Sequence, residues 1–180
     1  MKKIIVLSAI TLVALIFCPT IAISSPILEL ISPDKQYTYL TDFNEGNYTG
    51  HGDVTANYQY VGLGTTVDFA GFVSGNIALI YRGTYTFSLK VDNAEAAGAT
   101  GVIIWNYAED VIVPGLLDQK DIPVFFVKLS VGQELFDANI TTSGNAKIHM
   151  NNVVPEPSTM LLLGSGLVGL VGYGRRRMKK

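Results

Sequence analysis

Cysteine is almost missing. In 180 residues only Cys18 carries a thiol, and it lies inside an apolar N-terminal run. The rest of the chain can form no disulfide and offers no thiolate nucleophile or metal ligand. Phe17 precedes Cys18 where a lipoprotein leader wants a small residue, so Cys18 reads as part of a discarded leader. Histidine is scarce as well, with only His51 and His149. HExxH, GxSxG and phosphate-cradling glycine loops are missing. The one local His–carboxylate pairing is His51 with Asp53, in the Gly-flanked stretch TGHGD, which reads as a surface loop. His149 reads as solvent-facing or core-edge. Asp42, Asn44, Glu45 and Asp53 are oxygen ligands, but their spacing fits no Ca²⁺ loop. No metal, cofactor or catalytic residue is expected, and the chain reads as no enzyme. Basic charge is short in the middle: 14 acidic and 6 basic residues lie between Ser25 and Val154, a net charge of −8. That balance excludes a nucleic-acid partner, whose phosphates demand basic patches.

Long apolar runs occur only at the two ends. Residues 1–24 open with MKK, continue with IIVLSAITLVALIF and reach small residues at Ala22 to Ser25, the layout of a secretory signal peptide. Cleavage near Ala22 or Ser25, or retention as an anchor, fits this layout. Residues 158–174 carry no charge and precede Arg175, Arg176 and Arg177. As a helix this stretch is about 25 Å long, at the short limit for crossing a bilayer. The basic tail, 175–180, should stay cytoplasmic, which leaves the body outside. A linker, 151–157, ends in Pro155-Glu156-Pro157, whose prolines favour an extended, easily presented segment. Motif, span and arginine cluster together resemble the PEP-CTERM sorting signal of Gram-negative bacteria. The resemblance implies an exosortase as partner, which recognises the motif and removes helix and tail. The protein would be membrane-anchored before processing and then reach the cell surface or extracellular matrix. The alternative is a plain C-terminal anchor preceded by a chance Pro-Glu-Pro.

Between the ends the pattern is α/β. Residues 25–49 form a lead-in with a short strand near Tyr37–Leu40. VTANYQYVGLG reads as a strand ending in a glycine turn. NIALIYRG and GVIIW read as buried strands, joined by a helix that Ser88 can cap and Gly98 stops. Strand, helix and strand at this spacing imply a parallel βαβ unit. After a 16-residue loop come a third strand, IPVFFVKL, a helix with a capping-box pattern starting at Ser130, and a closing strand NAKIHM.

GNIALIYRGTYTFSLKVDNAEAAGATGVIIWN followed by IPVFFVKLSVGQELFDA is similar to the protease-associated (PA) domain. Residues 50–150 correspond to it. Tyr85 stands where that family often has cysteine. The resemblance implies a β-sandwich or open barrel flanked by helices, and a non-catalytic role in binding peptides or regulating substrate access. Parallel sheets place ligand sites at the carboxyl ends of strands. Arg82, Tyr85, Trp105, Asn106 and Tyr107 fall there and form the candidate binding rim. The expected function is a peptide- or protein-binding module; the alternatives are a matrix or biofilm protein without a specific ligand, or a hydrolase.

Overall fold

Three apolar runs make the centre of the fold: β5 (Ile77–Tyr81), β6 (Gly101–Trp105) and β7 (Val124–Val127). The computed structural model describes residues 25–112, 115, 118–152, 164 and 166. The expected leader lies outside them, as does the expected span save Gly164 and Gly166. No helix of the described residues is long and apolar enough to cross a membrane. Around the central strands lie β1 (Ile27–Ile31), β2 (Asp34–Tyr37), β3 (Phe43–Glu45), β4 (Asp53–Tyr60) and β8 (Lys147–Asn151). Two helices, α1 (Phe87–Ala96) and α2 (Leu129–Thr141), flank the strands among the described residues.

All eight strands form one sheet in the order β2-β1-β8-β4-β5-β6-β7-β3. β4 joins two regimes. Its first half, Asp53 to Asn57, pairs antiparallel with β8, and Tyr58 to Tyr60 pair parallel with β5. From there β5, β6 and β7 run parallel, with Ile77 opposite Gly101 and Val102 opposite Val124. The expected βαβ unit is therefore present, with α1 as its crossover.

The parallel strands are buried on both faces, which is why they read as unbroken apolar runs. Ile77, Leu79, Ile103, Trp105, Phe125 and Val127 point into the larger core. Tyr37 of β2 and Phe43 of β3 join that same core. The two edge strands of the sheet thus meet around one interior, so the sheet is curled and open. Val131 and Leu135 of α2 enter this core too. Ala78, Ile80, Val102, Ile104 and Phe126 face the other way and pack against Val91 and Ala94 of α1.

Several expectations need correction. The lead-in strand is Asp34–Tyr37, and Leu40 lies beyond it with φ +63°. A further strand, β1, precedes it and pairs with β8, Leu28 opposite Met150. β8 runs through Asn151, so the domain extends into the expected linker. Thr86 caps α1, its side chain accepting from the Leu89 N–H, while Ser88 is buried in the first turn. α2 starts after Lys128 with no side-chain cap; the Ser130 hydroxyl instead donates to Glu109 at 2.8 Å. Gly98, at φ +81°, ends α1 as expected.

Candidate functional site

The carboxyl ends of β5 and β6 lie side by side because the strands pair in register, Tyr81 opposite Trp105. The Arg82 N–H continues the ladder, donating to the Trp105 carbonyl at 2.8 Å. The chain then turns sharply through Gly83 (φ +123°) and Thr84 (φ +55°) before Thr86 starts α1. This turn puts Arg82, Tyr85 and Phe87 around the end of the sheet.

Arg82 is the only arginine between Ser25 and Val154. Its Nη1 donates to Asn106 Oδ1 at 2.7 Å. Its guanidinium carbon lies 4.6 Å from the centre of the Tyr107 ring and 5.8 Å from that of Phe87. Each contact of this kind contributes about 0.5–2 kcal/mol. Asn106 is 1% exposed. Its Nδ2 donates to the carbonyl and a carboxylate oxygen of Asp110, each at 2.9 Å, and its Oδ1 also accepts from the Tyr107 N–H. Asn106 thus fixes both the arginine and the first turn of the long loop.

Four of the other cations are spent differently. Lys35, Lys120 and Lys128 pair with Glu134, with Asp92 and Asp118, and with Asp42. Burial alone would depress the Lys120 ammonium, but hydrogen bonds to Asp118 and Asp92 outweigh it and hold the group above its ordinary range. Lys90 is fully buried, donates to the carbonyls of Leu63 and Tyr81, and lies 5.8 Å from the Tyr85 ring centre. Desolvation lowers its pKa, with Asp68 acting weakly against that. Among the described residues Arg82 meets no carboxylate; its partners are a neutral amide and two aromatic faces.

The five rim residues therefore separate. Arg82, Tyr85 and Tyr107 reach the surface, with Tyr107 57% exposed. Asn106 is buried and bonded to Arg82 and to the Tyr107 N–H. Trp105 turns inward: it is 7% exposed, stands edge-on to Tyr81, and donates through Nε1 to the Leu129 carbonyl at 3.2 Å. The indole lies directly on Gly132 of α2, where a Cβ would meet Trp105 Cδ1 at 1.9 Å. Phe87 joins the site, although its apolar position in α1 reads only as core in the sequence. The Pro155–Pro157 and Arg175–Arg177 sorting residues lie outside the described residues.

The histidines pair otherwise than their spacing suggests. Asp53 lies 2.9 Å from His149, 96 positions away, because β4 and β8 are neighbours. Glu29 of β1 stands 3.6 Å from the other ring nitrogen. His51 instead meets the Asn152 carbonyl at 3.1 Å. Among the described residues no group of three or more His, Cys, Asp or Glu side chains could hold a metal ion.

The PA domain family matches residues 38–135, and the PEP-CTERM protein-sorting motif matches residues 153–177. An aminopeptidase of Pseudomonas aeruginosa is 46% identical over 84 residues, which make up 41% of this chain and 15% of that protein. The minor extracellular protease Vpr of Bacillus subtilis is 35% identical over 81 residues, 43% of this chain and 10% of that one. The solved aminopeptidase from Aneurinibacillus sp. strain AM-1 has a TM-score of 0.62 and 30% identity, covering 72% of this chain and 31% of that one. The chain thus spans less than a third of these relatives. The PA domain family match takes in more than half of the chain, and the chain belongs to that family. The sorting motif implies export, exosortase processing and sorting in a Gram-negative bacterium.

Proposed function

We propose that this PA domain serves, on an exported protein, as a non-catalytic binding module. It takes an extended, carboxylate-bearing polypeptide segment at the rim of Arg82, Tyr85 and Tyr107. The reading rests above all on Arg82, a guanidinium held in place yet without a carboxylate among the described residues. A guanidinium so fixed has its donors ordered before a ligand arrives, which lowers the entropic cost of a two-pronged bond to a carboxylate. Tyr85 and Tyr107 supply exposed aromatic surface at the same rim, the residue types on which binding energy concentrates. The net charge of the body opposes an anionic ligand, but beyond ~8 Å that opposition is screened at physiological salt. Binding is therefore modest and local. After processing, the protein acts at the cell surface or in the extracellular matrix.

Calorimetric titration of the released protein with extended peptides, acidic or with Asn and Gln in place of Asp and Glu, tests this. Acidic peptides should bind, their amide counterparts should not, and Arg82→Gln should abolish binding. Mass spectrometry should recover the peptides uncut. Equal binding by Arg82→Gln, or turnover of the peptides, would sink the reading.

A further inference from the structure

The folded domain ends in a clasp. Asn152 is 4% exposed and is tied on every side. Its N–H donates to the Gly52 carbonyl at 3.1 Å, and its Oδ1 accepts from the Gly52 N–H at 3.0 Å. Its Nδ2 donates to the Gly50 carbonyl at 2.9 Å and to Glu45 at 3.4 Å. His51 meets its carbonyl. The loop that holds it is rigid in turn. Gly50 donates to Ile122, and a Cβ at Gly50 would sit 2.3 Å from the Asp121 carbonyl.

The sorting motif starts at the next residue, 153. Pro155 follows Asn152 by three positions, a reach of at most ~10 Å even when fully extended. No spacer separates the fold from the signal. An enzyme that acts on Pro155–Pro157 must therefore come up against the end of the domain that carries Asn152.

That end presents a cleft of about 270 Å³, lined by Glu45, Asn47, Tyr48, Thr49, His51 and Gln119. Glu45 and His51 are two of the residues that grip Asn152, so the cleft adjoins the exit point. Tyr48 stands at its lip, 62% exposed and at φ +65°. A bulky residue in the left-handed region is strained, and Asn or Gly would relieve that strain. The turn is nonetheless held firmly. Gly46 donates to Val124 at 3.1 Å, Thr49 to Gly46 at 3.2 Å and Lys120 to the Tyr48 carbonyl at 2.9 Å. An exposed ring in a strained, fixed turn does little for the fold and is well suited to a partner.

We propose that the Gly46–Thr49 turn and its cleft are a docking surface for the membrane-embedded exosortase. The body thereby contributes to its own processing, in addition to the Pro-Glu-Pro tail. Tyr48 is the central contact, and the Asn152 clasp sets the distance from this contact to the motif. The inference rests on the reading that the tail is processed by that enzyme.

Pulse–chase of the full chain in its own host, with mass spectrometry of the released form, tests it. Tyr48→Asn should fold with an unchanged or higher melting temperature and be processed at least fivefold more slowly; Tyr48→Gly should behave alike. With eight Gly and Ser residues inserted between Asn152 and Val153, the body is uncoupled, and Tyr48→Asn should make no further difference. Glu156→Ala should block processing in every background. Processing of Tyr48→Asn and Tyr48→Gly at the parent rate, with Glu156→Ala blocked, would overturn the docking surface alone. Processing of Glu156→Ala at the parent rate would overturn the sorting reading, and the proposal with it.

Discussion

Arg82 Nη1 donates to Asn106 Oδ1 at 2.7 Å, from the end of one parallel strand to the end of its neighbour. The same amide reaches on to Asp110 through Nδ2. One buried side chain thus sets the arginine and the loop behind it.

Replacing Asn106 with Ala should act on both stability and binding. The change leaves Asp110 and Arg82 without their shared partner, and the loss of buried hydrogen bonds costs about 1–3 kcal/mol. Thermal unfolding should show the loss. Calorimetry should show weakened binding of acidic peptides, since Arg82 is no longer oriented. A variant that melts and binds like the parent would mean that the amide positions nothing.

Contact between Trp105 and Gly132 makes a sharper demand on the core. A Cβ at Gly132 would lie 1.9 Å from the indole, so Gly132→Ala must displace a buried ring or α2. Overpacking of this kind costs about 1–3 kcal/mol or more. Ile103→Ala, which empties a fully buried site in β6, should cost about 2–5 kcal/mol. Denaturant melts of both variants check these values. Unchanged midpoints would contradict the placement of β6 between its two layers.

Acid should loosen the domain partly through Asp42. Burial alone would raise its pKa, but bonds from Lys128 and the Thr38 N–H outweigh that and hold the carboxyl below its ordinary value of 3.8. Its folded pKa is depressed, so its contribution is present above pH 3.8 and is lost as pH falls through the folded value. Melting temperature measured from pH 6 to pH 2 should fall more gently at the acid end in Asp42→Asn than in the parent. Parallel curves would show that the Lys128 pair carries no pH dependence.

How far the fold can be read from the sequence depends on how local its determinants are. β5, α1 and β6 are legible because glycines mark their limits, Gly83 after β5, Gly98 after α1 and Gly101 at the start of β6, and because buried parallel strands appear as apolar runs. β1 also alternates, with Leu28 and Leu30 inward and Glu29 outward, but Pro26 and Pro33 frame it as loop. Its pairing with β8 spans most of the domain, and nothing local announces that. Trp105 shows a different limit. A strand buried on both faces gives no parity signal, so its sequence cannot say which side chains face the rim and which the core. Helix starts also shifted, to Thr86 and Lys128, because Ser88 and Ser130 are capping residue types used elsewhere. The Asp53–His149 pair needed the β4–β8 register.

The central claim is that Arg82 and its aromatic neighbours receive a carboxylate-bearing segment. Its most direct test is amide hydrogen exchange of the released protein with and without a saturating acidic peptide. The account predicts new protection confined to residues 82–87 and 106–110, absent in Arg82→Gln and partly retained in Arg82→Lys, which keeps the charge but loses the fork. Protection elsewhere on the domain that survives Arg82→Gln would contradict it.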